Sequence, residues 1–131
     1  MGALILDASV LIGLLDRVDP HHERAVAEVA AADVAGRALI TPASAYSESL
    51  VAFARASRTV EAREAIAAMG IAAAPLTASI AERAAVLRAE HERLRLPDAI
   101  VLATAHELGG DLLAYDDRLN SLAKKRGRKR M

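Results

Sequence analysis

The stretch Ala3-Leu4-Ile5-Leu6-Asp7-Ala8-Ser9 constrains the fold of this chain more than any other. Four consecutive apolar residues bounded by a short polar step read as a strand buried on both faces, as in a parallel sheet covered by helices. Asp7 stands where that strand ends. In an open α/β sheet, chemistry gathers just beyond the carboxyl ends of the strands. A carboxylate at the mouth of a buried strand is costly unless something neutralises it. The function depends on what else arrives there.

The rest of the chain alternates helix-like and strand-like runs. Ser9 reads as the cap of a short helix to about Leu15, and Asp19-Pro20 as the start of an alanine-rich helix over His21 to Ala35 that Gly36 ends. Ala38-Leu39-Ile40 makes a second strand. Thr41-Pro42 repeats the cap-plus-proline start for a helix to about Ala56, and a further helix covers Thr59 to Met69. Ile71 to Ala74 is the third strand, Thr77 caps a helix to about Arg93, and Pro97-Asp98 opens a helix, Ala99 to Leu108, that is apolar nearly all round and so central in the packing. After Gly109-Gly110, Leu112-Leu113-Ala114 makes the fourth strand, and a short helix to Ala123 follows. Strands separated by helices predict a parallel sheet in a helical sandwich, one domain over residues 1–123.

Composition narrows the class. At 131 residues and 53% hydrophobic content the chain buries one good core and not two. Without cysteine it has no disulfides, thiolate zinc sites or cysteine nucleophiles, which fits a cytoplasmic protein. No basic leader precedes the first strand, and no stretch suits a membrane span. The net charge of zero hides an asymmetry. Lys124, Lys125, Arg126, Arg128, Lys129 and Arg130 crowd positions 124–131, leaving 11 basic against 17 acidic residues in positions 1–123, a net of −6. Such a basic run is either a disordered solubilising end or a flexible arm drawn to nucleic-acid phosphates.

The carboxylates can now be placed. Asp7 follows strand one and Asp116, with Asp117, follows strand four, so both sit at one edge of the sheet. Asp98 lies in the first turn of the apolar helix, where the helix dipole alone would satisfy it. Glu48 lies in the helix after Pro42, where a solvated face is the plain reading. Taken together they suggest more. Several carboxylates at one rim repel unless a cation holds them. Oxygen ligands without cysteine favour a hard ion, Mg²⁺ or Mn²⁺. Such an ion binds a phosphodiester and acidifies a water, which is the chemistry of metal-assisted hydrolysis of a nucleic-acid backbone.

The runs Leu4-Ile5-Leu6-Asp7-Ala8-Ser9-Val10-Leu11-Ile12, Ser47-Glu48, Leu96-Pro97-Asp98-Ala99-Ile100-Val101-Leu102-Ala103-Thr104-Ala105 and Leu112-Leu113-Ala114-Tyr115-Asp116-Asp117-Arg118-Leu119 resemble those of the PIN-domain ribonucleases. Their order and the chain's size are most similar to the VapC-type toxins of type II toxin–antitoxin systems, over residues 3 to about 122. The resemblance implies a PIN-like three-layer α/β/α sandwich around a parallel sheet of four or five strands. It implies that Asp7, Glu48, Asp98 and Asp116 hold one or two divalent ions, Mg²⁺ or Mn²⁺, with Asp7 and Asp98 as core ligands and Ser9 in support. It also implies an Mg-dependent endoribonuclease in which a metal-activated water, not a side chain, is the nucleophile.

Partners follow from the same resemblance: an RNA substrate, a cognate antitoxin lying over the acidic site and an apolar groove, and a homodimer within a toxin–antitoxin hetero-oligomer. Two departures stand out. Ala114 replaces the usual threonine two residues before the last aspartate, so Asp117 could share the role of Asp116, and a basic run replaces the usual fifth strand. A haloacid-type phosphatase or a receiver domain needs a lysine that is absent before residue 124. A catalytically inactive PIN-fold adaptor for RNA or protein is the remaining alternative.

Other residues have plainer readings. His21 and His22 read as exposed first-turn histidines, and His91 and His106 as structural. Phe53, with Leu50 and Val51, belongs to the core or to a groove. With aromatics at 2% there is no stacking platform for single-stranded bases.

Overall fold

The computed structural model describes residues 2–130, and of 125–130 the backbone alone. Its elements run β1 (Leu4–Leu6), α1 (Ala8–Leu15), α2 (His22–Val34), β2 (Leu39–Pro42), α3 (Ala43–Arg55), α4 (Thr59–Ala68), β3 (Ile71–Ala74), α5 (Ala78–Glu90), α6 (Leu96–Leu108), β4 (Asp111–Leu113) and α7 (Asp117–Arg130). The four strands form one parallel sheet in the order β3-β2-β1-β4. No fifth strand joins it among the described residues. Helix α7 runs on to Arg130, past the expected end at Ala123, while what was expected of the basic side chains falls, from residue 125 onward, outside those described.

Side-chain alternation on β1 explains the three layers. Leu4 and Leu6 face one way, into a core with Val10, Leu11, Ala25, Val29 and Ile66 from α1, α2 and α4. The opposite core is built by α5, α6 and α7 through Ile80, Leu87, Val101, Leu102 and Leu119. Helix α3 serves both, with Ala45 in one core and Tyr46 and Leu50 against the other. Ile5, Leu6 and Leu11 are fully buried, each contributing about 1.5–3 kcal/mol. The apolar helix α6 is central as expected, with Ala99 and Val101 to Ala105 all buried.

The chain steps outward from β1 through β2 to β3, then crosses back to place β4 on the other side of β1. The order therefore reverses between β1 and β4. In open α/β sheets a crevice opens at that point, beyond the carboxyl ends of the strands. Asp7 directly follows β1, and Asp116 stands three residues beyond the end of β4.

Two expected helix starts differ. Asp7, not Ser9, occupies the N-cap of α1, and its carbonyl accepts from Val10 and Leu11 N–H. Thr41 and Pro42 close β2 before α3 begins, and the fully buried Thr41 hydroxyl donates to the Leu6 carbonyl at 3.0 Å. Thr41 is drawn to a tertiary acceptor, whereas Ser9 donates to Asp7 two residues back and accepts a tertiary donor, the Tyr115 N–H. Thr77 does cap α5, accepting the Ile80 N–H at 3.1 Å.

Candidate active site

Each acidic residue is held by a different device. Asp7 is held by its main chain, whose N–H donates to Leu113 O at 3.1 Å and so pins the end of β1 to β4. Its side chain is 7% exposed, and Oδ2 accepts the Ser9 hydroxyl at 3.1 Å. Asp116 caps α7: its Oδ1 accepts the N–H groups of Arg118 at 2.9 Å and Leu119 at 3.2 Å. Asp98 lies in the first turn of α6, and Glu48 midway along α3. The Ser44 hydroxyl donates to Pro97 O at 2.9 Å, tying the starts of those two helices together.

The charges of Asp7, Asp98 and Asp116 act on one another, and those of Asp7 and Asp98 act on Glu48. Burial pushes the Asp7 carboxyl up; the amides of Ala8 and Ser9 and the Ser9 hydroxyl oppose it, and the charge of Asp116 adds to the rise. Asp98 is raised by burial and then by Asp7 and Asp116, with Arg95 and Arg118 pulling the other way. Glu48 is raised by burial, and by Asp98 and Asp7, against the charge of Arg95. Three carboxyls pushed upward together describe a site short of positive charge.

The described residues supply little of that charge. Arg95 Nη2 lies 3.6 Å from Glu48 Oε2, and among the described residues no salt bridge reaches Asp7, Asp98 or Asp116. The donor set is all oxygen, which suits Mg²⁺ or Mn²⁺. Among the described residues no three His, Asp or Glu side chains close into a finished cage. An ion that keeps several waters and takes only one or two direct carboxylates does not require one, so the residues present fit such an ion.

Of the other expected residues, Asp117 is exposed in the first turn of α7, and it is Asp116 whose charge acts on Asp7 and Asp98. Ala114 is buried, and its main-chain carbonyl accepts Asn120 Nδ2 at 2.9 Å. The histidines expected to be exposed are half-buried: His21 stacks on Tyr115 with ring centroids 4.5 Å apart, and His22 Nδ1 lies 2.7 Å from Gly13 O. Phe53 lines a groove of about 370 Å³ beside Glu48, with Ile12, Leu15, Ala52 and Ala56. Arg95, Asn120 and the Tyr115 side chain were not singled out in sequence. A cation two residues before Pro97, beside an acidic motif, was the available signal for Arg95.

A family model, the PIN domain, matches residues 4–125, and the chain belongs to that family. Among solved structures the fold is similar to the Mycobacterium tuberculosis toxin VapC20, described as cleaving the sarcin–ricin loop. That likeness has a TM-score of 0.71 and 19% identity, over 92% of this chain and 95% of that one. It is also similar to a chain of a toxin–antitoxin complex from Klebsiella pneumoniae, with a TM-score of 0.64, 24% identity and 87% of each chain covered. No curated protein matches the sequence. Among the described residues no helix is long and apolar enough to cross a membrane.

Proposed function

We propose that this chain is a divalent-metal-dependent endoribonuclease, the toxin of a toxin–antitoxin pair, acting in the cytoplasm with one or two Mg²⁺ or Mn²⁺ ions in the acidic crevice. One observation carries the reading: Asp7 is buried beside Asp98 and Asp116, and among the described residues no cation pairs with it. A structural carboxylate would be expected to have an arginine or a fuller set of donors there. Membership of the PIN family supports the same reading.

A bound divalent ion would supply positive charge at the scissile phosphate and an acidified water for attack. The chain's own groups do the rest. Asp7 and Asp98 are the core ligands, with Glu48 and Asp116 beside them directly or through water. Ser9 supports Asp7, donating its proton to the carboxylate while its oxygen accepts the Tyr115 N–H. Arg95 and Arg118, whose charges reach Asp98, stand at the rim where RNA phosphates would pass.

The partners follow. The groove between Ile12, Leu15 and Phe53 opens beside Glu48, where a segment of a cognate antitoxin would cover the acidic site. A homodimer within that complex completes the assembly.

Cleavage of a mixed RNA pool tests the reading, with Mg²⁺ or Mn²⁺, with EDTA, and with Asp7→Asn. Cutting that requires metal and disappears in the variant supports it. A folded, antitoxin-free protein that cuts nothing makes the chain a PIN-fold adaptor instead.

A further inference from the structure

We infer that Tyr115 is a positioning residue for the acidic site: its side chain, gripped by α2, holds its own main-chain N–H on Ser9 and so aims the Ser9 proton at Asp7. The inference rests on the reading of that crevice as a metal site.

The hydrogen bonds run in one direction. Tyr115 N–H donates to Ser9 Oγ at 3.2 Å, and Ser9 Oγ donates to Asp7 Oδ2 at 3.1 Å. A serine hydroxyl has one proton and rotates to suit its surroundings. With a donor fixed on its oxygen, its proton is turned towards the carboxylate.

What fixes that donor lies on α2. The Tyr115 ring stacks on His21 at 29° between planes, and the Arg24 guanidinium sits 4.6 Å from the ring centroid. The phenol donates to Glu28 Oε1 at 2.9 Å, and the same oxygen accepts Arg24 Nε at 3.0 Å. Residues 21, 24 and 28 follow the spacing of one helical stripe, so a single face of α2 grips the ring. The start of α2 is in turn tied to α1 through His22 and Gly13. The helix that carries Ser9 and the helix that grips Tyr115 are therefore fastened to each other. Asp116, the next residue, is carried by the same connection.

Such outer contacts orient the groups that hold a metal, and losing one weakens metal binding by about tenfold or more. The test uses the full chain as wild type, Tyr115→Phe, Glu28→Ala, the double variant and Glu28→Gln. Two readouts are taken: Mn²⁺ affinity by electron paramagnetic resonance, and amide hydrogen exchange at position 115 without metal. Tyr115→Phe keeps the ring and removes only the bond to Glu28. The expected result is about tenfold weaker Mn²⁺ binding in each single variant and several-fold faster exchange at position 115. The double variant is no worse than either single one, Glu28→Gln recovers most of the loss, and kcat falls on RNA while KM holds.

A lowered melting temperature with unchanged Mn²⁺ affinity and exchange would overturn the inference and leave Tyr115 a packing residue. Losses that add in the double variant would overturn the route through Glu28. If wild type binds no Mn²⁺, the metal reading of the crevice fails, while the exchange rates still decide whether Tyr115 holds the Ser9 contact.

Discussion

Replacing Gly110 by alanine places a methyl group where the start of β1 already stands. The new Cβ would lie 2.7 Å from the Ala3 carbonyl oxygen and 2.9 and 3.0 Å from Cγ1 and Cδ1 of Ile5. Neither neighbour yields easily. Ile5 is fully buried, and the Ala3 oxygen accepts both Asp111 N–H at 3.0 Å and Arg37 Nη2 at 3.2 Å. Overpacking of this kind costs about 1–3 kcal/mol, and the lost chain entropy of glycine in the unfolded state returns about 0.4–1 kcal/mol. A shift of β4 that relieved the clash would lose a hydrogen bond of about 1 kcal/mol. The net is a destabilisation of about 2 kcal/mol, which for a chain of this length lowers Tm by about 7 °C. Gly109→Ala is the control. Gly109 has φ of +61° with nothing within 4 Å of its Cβ position, so only left-handed strain opposes alanine, about 1 kcal/mol after the same offset. Urea unfolding followed by circular dichroism measures both. A Gly110→Ala variant within about 0.5 kcal/mol of wild type, or more stable than Gly109→Ala, would refute the reasoning.

Three other outcomes are expected. Asp7→Asn raises the Tm of the metal-free protein, and the gap over wild type widens as pH rises from 3.8. A raised carboxyl pKa means the folded state holds the proton more tightly than the unfolded chain, so the stability linked to Asp7 is present at low pH and lost as it ionises. Thermal melts with and without Mn²⁺ check it, the metal stabilising wild type more than the variant. Deleting residues 124–131 weakens RNA binding and reduces the salt slope by up to about 4, read from binding at several salt concentrations; an unchanged slope makes the run a solubilising end. Thr77→Ala removes the cap of α5 and costs about 1 kcal/mol in urea unfolding, with RNA cleavage unchanged.

The fold was legible because apolar runs, glycines and prolines mark element boundaries locally. Leu4–Leu6, Leu39–Pro42 and Ile71–Ala74 emerge as strands within a residue or two of the reading, and Gly36, Gly70 and Gly109 follow the helices they were expected to end. That Asp7 and Asp116 trail parallel strands was legible as well, whereas the pairing of those two strands side by side was not. What failed was the assignment of hydroxyls. Ser9 and Thr41 look like caps to their sequence neighbours, but their partners are Asp7 and the Leu6 carbonyl. Nor does any local pattern reveal that Arg95 pairs with Glu48, 47 positions away, or that Tyr115 closes on α2. Those contacts exist only because the sheet brings distant segments together.

The position of β1 between β2 and β4 has a consequence for how the molecule is made. Leu4 to Leu6 pair on one side with a strand that follows soon after and on the other with residues 111–113. Contacts at such separation form late and slowly. During synthesis the first half of the chain has β2 and β3 to settle against, but Asp7 gains Leu113 and Asp116, and Ser9 the Tyr115 N–H, only once that distant segment has emerged. A nascent or truncated chain that stops short of residue 111 holds Asp7, Glu48 and even Asp98 without β4 and without Asp116. The order of the strands thus delays assembly of the acidic cluster until most of the fold exists.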